Sequence, residues 1–279
     1  MRLFEQKLSS IQLEPTLENW ELLNYDLIKK DPNLLSMVSP FPPFPLMTLT
    51  SGLSDNFDFA GHGVHIFKSI RKACPKDITS FSRVLDFACG CGREARIFYP
   101  LSYDQFSVAD IDKSMVKYMA NTYSGINAVC TKPDKPLPFA DNSFDLIYSI
   151  SVLTHLTEKS QDLILKELNR ITSPNGIIML SVHGDRAMQR TNEPNIYNML
   201  CVDNKLFECA KKDFERDLHA FIIQKGHLTT KKFSYGITFT SNKYIHSHFS
   251  KWFNVLDIAD GAIHDFQSIV VLSPKKSLL

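Results

Sequence analysis

The sequence predicts a doubly wound α/β fold with a seven-stranded, mainly parallel sheet and an antiparallel strand pair at its C-terminal end. Three observations predict it. Strand-like and helix-like runs alternate from 83 to about 183, which calls for a parallel sheet with right-handed crossovers. A glycine turn follows the first of these strands. Two β-rich runs, Trp252 to Ile258 and Phe266 to Leu272, are joined by a connection containing Asp260-Gly261, the pattern of a hairpin at a sheet edge.

The elements follow in order. Residues 1 to about 80 form an N-terminal extension and lid, with a helix around Leu17 to Lys30 and then Pro40-Phe41-Pro42-Pro43-Phe44-Pro45. Each proline removes a donor and keeps the residue before it out of the helical region, so this stretch reads as extended chain whose aromatic rings pack on the main domain. Residues 81–279 form the main domain. Its strands are expected at Arg83 to Phe87, Phe106 to Asp110, Ile126 to Cys130, Phe144 to Ile150 and Ile177 to Val182. Ile164, Leu168 and Ile171 lie on one helical stripe, which Pro174-Asn175-Gly176 stops. Residues 184 to about 250 read as a polar insertion that serves as a lid.

With 31 basic and 30 acidic residues the formal charge is +1, which offers no excess of Lys and Arg for a nucleic-acid partner. No stretch reaches the roughly 18 uncharged apolar residues of a membrane span. The six cysteines show no C-x-x-C pair and no zinc spacing, so no metal site is predicted. A cytoplasmic protein with reduced thiols is expected.

The strongest chemical signal is Asp86-Phe87-Ala88-Cys89-Gly90-Cys91-Gly92. Small residues at 88, 90 and 92 let a ligand approach the backbone, and the following helix start is expected to present unpaired amides. Asp110, at the end of the second strand and 18 residues beyond Gly92, can accept both hydroxyls of a ribose; Asp112 fits the competing helix-capping job better. Gly90 to Ala95 also spells the dinucleotide pattern G-x-G-x-x-A. Asp86 argues against it, because its carboxylate would face a pyrophosphate but suits an ammonium group.

Val84 to Arg93 resembles the first motif of class I S-adenosylmethionine (SAM)-dependent methyltransferases, with Ala88 where a glycine is usual. Leu137-Pro138-Phe139 with Asn142 to Ile147 resembles the motif leading into their fourth strand, and Ser151-Val152-Leu153-Thr154-His155-Leu156 the segment after it. Several similar chains that share the Cys-Gly-Cys-Gly-Arg turn and the Ser-Val-x-Thr-His-Leu segment accompany sugar or polysaccharide biosynthesis, and this resemblance implies a hydroxylated, sugar-like acceptor. The resemblance implies that SAM is the cofactor, S-adenosylhomocysteine its product, and a small molecule the methyl acceptor. It implies that Asp86 holds the methionine ammonium and that Ala88, Cys89, Gly90 and Gly92 shape the floor of the site. Asp110 would take the ribose and Ile111 would pack on adenine. Thr131 or Asp134 would meet the adenine amino group. Arg93 would pair either with the cofactor carboxylate or with acidic neighbours, and Ser151 joins the same set. Ala88 costs little if its φ is negative.

Two histidines stand where a general base is needed, His155 after the fourth strand and His183 after the fifth. His62 between Gly61 and Gly63 reads as a turn. Phe233, Tyr235 and Phe239 suit either an acceptor ring or packing on the sheet. The readings that compete are an NAD(P)-dependent oxidoreductase and a non-catalytic SAM-binding protein. Nucleic-acid methylation is disfavoured, because Ser149-Ile150-Ser151-Val152 offers no paired polar groups for a flipped base.

Overall fold

The structure is a computed structural model describing all residues except 134, 225–233 and 276–279; the candidate residues Asp134 and Phe233 therefore lie outside the described residues. Among the described residues, nine strands form two sheets. The larger has the order β3-β2-β1-β4-β5-β9-β8 and the smaller pairs β6 with β7. This is the mainly parallel, seven-stranded α/β sheet with an antiparallel C-terminal pair that the sequence predicts. The chain forms two compact units, Met1–Lys132 and Pro133–Leu279.

The first unit holds three parallel strands, β1 (Arg83–Phe87), β2 (Gln105–Asp110) and β3 (Asn127–Cys130). Buried Val84, Leu85, Val108 and Ala109 make their apolar body, worth about 25 cal/mol per Å² removed from water. The expected helix of Leu17 to Lys30 is present but carries a π-turn over Leu23–Leu27. His62 does not lie in a turn. It belongs to the long helix Asn56–Ala73, which starts on the side-chain cap of Asp55. The glycines beside it serve packing: a Cβ at Gly61 would lie 3.0 Å from the Tyr25 ring, and one at Gly63 2.9 Å from the Arg93 carbonyl oxygen. The proline-rich stretch is extended only through Pro43. Pro45 sits in the first turn of the helix Phe44–Ser51, where its missing N–H costs nothing. Phe41 packs as expected, with the Arg96 guanidinium 4.2 Å above its ring, whereas Phe44 is exposed.

The second unit holds β4 (Phe144–Ser149), β5 (Thr172–Val182), β8 (Phe253–Ile263) and β9 (Gln267–Pro274). β4 and β5 run parallel, while β9 is antiparallel to both β5 and β8. The helix Glu158–Ile171 buries Gln161, Leu165, Leu168 and Ile171, so Ile164 stands beside the buried stripe. Thr172 pairs with Phe144 and Ile177 with Leu146. Pro174-Asn175-Gly176 therefore sits in a bulge inside β5, after the helix has already ended. In the C-terminal hairpin the turn falls at His264-Asp265, both at positive φ, and Phe266 N–H donates to the Ile263 carbonyl at 3.0 Å. Gly261 lies in a β8 irregularity instead. The 184–250 segment is less polar in structure than in composition. It includes the antiparallel pair β6 (His219–Ile223) and β7 (Gly236–Thr240) and buries Leu200, Phe207, Ile222, Ile237 and Phe239 in a core. No described helix is long and apolar enough to cross a membrane.

Candidate functional site

In the first unit the chain leaves β1 at Phe87 and turns over Ala88 to Gly92. Ala88, Gly90 and Gly92 all have positive φ, at 62°, 52° and 84°. Ala88 thus occupies a left-handed conformation that costs an L-residue roughly 1–2 kcal/mol, contrary to the negative φ that would have made the substitution cheap. The turn's amides are also not unpaired. Ala88 and Cys89 N–H donate to the Ala109 carbonyl at 2.7 and 3.1 Å, and Gly92 N–H to the Cys89 carbonyl at 2.9 Å. Gly90 N–H donates to Asp110 Oδ2 at 2.8 Å, and Cys91 N–H to Thr50 Oγ1 at 3.0 Å. The two glycines are filled by the protein as well. A Cβ at Gly90 would lie 2.5 Å from Thr50 Cγ2, and one at Gly92 2.6 Å from Met119 Sδ.

Two acids flank the turn. Asp86 is buried on β1. Asp110 braces two backbone amides, Gly90 through Oδ2 and Asp112 through Oδ1, each at 2.8 Å. Burial raises its carboxyl above the usual range, against the pull of those backbone bonds. A carboxylate accepts about four hydrogen bonds, so acceptor capacity remains. Asp112 takes the helix cap, accepting from Ser114 N–H at 2.7 Å. Ile111 is an exposed apolar side chain beside this acid, and Thr131 is buried, its N–H held by the Asp110 carbonyl at 2.8 Å. Arg93 is paired with Glu94, Nε to Oε1 at 2.6 Å; of its two expected partners it takes the acidic neighbour, though a buried rather than a surface one. Burial pushes the Cys91 thiol up to about 11 and the Cys89 thiol well up, so neither is a nucleophile at neutral pH.

This set of donors and acceptors fits SAM. Asp110 can accept from a ribose hydroxyl beyond the two amides it braces. A pyrophosphate would need the amides that Ala109, Asp110, Cys89 and Thr50 already occupy.

The remaining candidates lie in the second unit. Ser151, just past β4, has φ 59°; its N–H donates to Ser181 Oγ at 2.6 Å, and its hydroxyl accepts from Gln267 Nε2 at 3.0 Å. The His155 ring stacks on Tyr235 at 4.6 Å between centroids. Its Nδ1 lies 2.8 Å from the Gly236 carbonyl oxygen. A carbonyl only accepts, so Nδ1 carries the proton and Nε2 is the basic nitrogen. His183 stands 6.3 Å from His155 between ring centroids. Burial first, and the nearby His155 second, lower its pKa to about 3. Burial thus favours its neutral form. Phe239 is fully buried, which settles it as packing. Thr50, the Gly236 carbonyl and Gln267 were missed from sequence. Each meets its partner across a long stretch of chain, and no local spacing signals it.

Residues 85–180 match the sequence profile described as a methyltransferase domain. A ubiquinone/menaquinone biosynthesis C-methyltransferase of Geotalea daltonii is 32% identical over 105 residues, which make up 35% of this chain and 44% of that protein. The match thus spans less than half the length of that curated relative. Among solved structures, a protein of Pyrococcus horikoshii shares the fold with a TM-score of 0.58 at 14% identity, over 82% of this chain and 95% of that one. Human N-acetylserotonin methyltransferase in complex with SAM does so with a TM-score of 0.51 at 14% identity, over 97% of this chain and 63% of that one.

Proposed function

We propose that this chain, whose residues 85–180 match a methyltransferase-domain profile, transfers the methyl group of SAM to a small-molecule acceptor. One observation supports this reading: the amides of the turn after β1 are bonded within the protein, and the acid at its rim, Asp110, keeps acceptor capacity beyond the two amides it braces. Bound SAM supplies a methyl group activated on a sulfonium. Asp86 holds the ammonium group, Asp110 accepts from the ribose and Ile111 packs on the adenine. Ala88, Cys89, Gly90 and Gly92 form the floor. Thr131 lines the adenine side.

On the acceptor side the reading is transfer to a hydroxyl oxygen, with a sugar-like molecule as acceptor. Support comes from His155, whose ring is held by the Gly236 carbonyl at Nδ1, and from Tyr235, whose ring stacks on it. His183 is a neutral positioning group in this scheme, and the 184–250 segment covers the acceptor. The similarity to a C-methyltransferase favours a second reading, transfer to carbon. Calorimetric titration tests the cofactor: S-adenosylhomocysteine should bind and NADH should not, and the reverse would overturn the proposal. Transfer of a 13C-methyl group to acceptors from cell extract, with carbon NMR of the product, separates O–CH3 from C–CH3. It also separates both from a protein that binds SAM without transferring its methyl.

A further inference from the structure

The proposed cofactor turn is closed on one side by a segment that no motif marks. Thr50 stands near the end of the helix Phe44–Ser51, just before Gly52 at φ 72°. Its Oγ1 accepts the Cys91 amide at 3.0 Å, and its own hydroxyl proton points to Met115 Sδ at 3.8 Å. Its methyl occupies the space a side chain at Gly90 would need. Glycine at 90 is therefore required by Thr50 as much as by the backbone's positive φ.

The chain leading into this helix is anchored just beyond the same turn. Fully buried Arg96 donates from Nη2 to the Ser39 carbonyl at 3.1 Å, and Ser39 Oγ donates back to the Arg96 carbonyl at 2.7 Å. The guanidinium also lies over the Phe41 ring. Residues 39 to 50 thus form a strap, fixed at one end by Arg96 and latched at the other on Cys91. Inside it, Met47 packs with Phe59, Cys91 and Met115.

We propose that Thr50 is a positioning residue of the cofactor site and that the helix Phe44–Ser51 is the strap that retains bound SAM. The inference rests on the cofactor reading above. The latch holds the Cys91 amide, which in turn fixes the left-handed Gly90 and its bond to Asp110. Without the latch, the acid that takes the ribose loses its brace and the strap opens more often. Bound cofactor then escapes faster.

The test measures S-adenosylhomocysteine dissociation rates by stopped-flow competition for the full chain and its variants. Thr50→Val keeps the shape but removes the acceptor, and should speed release about 3- to 10-fold, the range for one lost hydrogen bond. Thr50→Ser keeps the hydroxyl and should restore slow release. Thr48→Val, on the exposed side of the same helix, should leave release unchanged. Thermal melts on the same variants expose a merely structural role, which would lower the melting temperature of Thr50→Val without changing the release rate. That result, or Thr50→Ser releasing as fast as Thr50→Val, overturns the latch alone. If the wild-type chain binds no S-adenosylhomocysteine, the cofactor reading falls and the latch with it.

Discussion

Replacing Asp110 tests the proposed site and the fold together, because this carboxylate has one job in the structure and a second in the proposed function. It accepts the Gly90 and Asp112 amides at 2.8 Å each, and the proposed function adds a ribose. Asp110→Ala orphans both amides. Hydrogen bonds to a charged group contribute about 1.5–3 kcal/mol each, so the pair is worth about 3–6 kcal/mol. Relief of burying a charge offsets part of this, since burial already raises the acid's pKa. A net loss of about 2–4 kcal/mol follows, a large share of a typical domain's stability. Asp110→Asn keeps one acceptor oxygen and should lose about half as much. Both variants should weaken S-adenosylhomocysteine binding at least 100-fold, the equivalent of about 2.7 kcal/mol.

The pH dependence carries a defined sign. A carboxyl whose folded pKa lies above its unfolded value contributes stability that is present below the unfolded value and lost as pH rises through the folded one. The stability difference between wild type and Asp110→Asn should therefore shift toward the variant as pH rises from about 4 through the folded value. Urea unfolding at several pH values and calorimetric titration at pH 7 check these statements. Wild-type stability in Asp110→Ala would refute the bracing role, and wild-type affinity in Asp110→Asn would refute the ribose role.

Two further outcomes follow from the same geometry. Ala88→Gly should stabilise the chain by about 0.5 kcal/mol, because relief of roughly 1–2 kcal/mol of left-handed strain exceeds the roughly 0.4–1 kcal/mol of extra freedom glycine has when unfolded; urea midpoints at constant slope measure this, and a clear destabilisation would mean that the Ala88 methyl packs to more effect than its strain costs. His155→Gln should lower turnover of a hydroxyl acceptor about 100-fold or more with S-adenosylhomocysteine affinity unchanged, and full turnover in that variant would remove His155 as the base.

Local chemistry made the strands and the acids legible. β1 and β4 were legible because short apolar runs bounded by turn residues have few alternatives, and Asp112 because a cap is read within three residues. The same local logic misplaced the C-terminal turn. Asp260-Gly261 carries the stronger turn residues, yet the pairing of β8 with β9 carries the chain past them and forces His264 and Asp265 into positive φ instead. Tertiary register outweighed local preference there. The polar composition of 184–250 concealed a core, because its buried residues are spread thinly among charged helix faces and only pairing of β6 with β7 gathers them.

The glycine turn shows most clearly what spacing can and cannot carry. Glycine at 90 and 92 fits a ligand pressed against the backbone and a protein side chain pressed against it equally well, since both need the absence of a Cβ. In the structure the side chains of Thr50 and Met119 fill those places. The letters that also spell a dinucleotide pattern therefore do not discriminate between cofactors; the hydrogen-bond state of the amides does. A pyrophosphate ligand would need Gly90 and Cys91 N–H, and releasing them means breaking the bonds to Asp110 and Thr50 while bringing phosphate charge up to two carboxylates. A ligand bearing an ammonium and a ribose diol leaves both bonds intact. Under the proposed function, selectivity at this turn would come from Asp86, Asp110 and Thr50, of which only the two acids can be seen in the sequence.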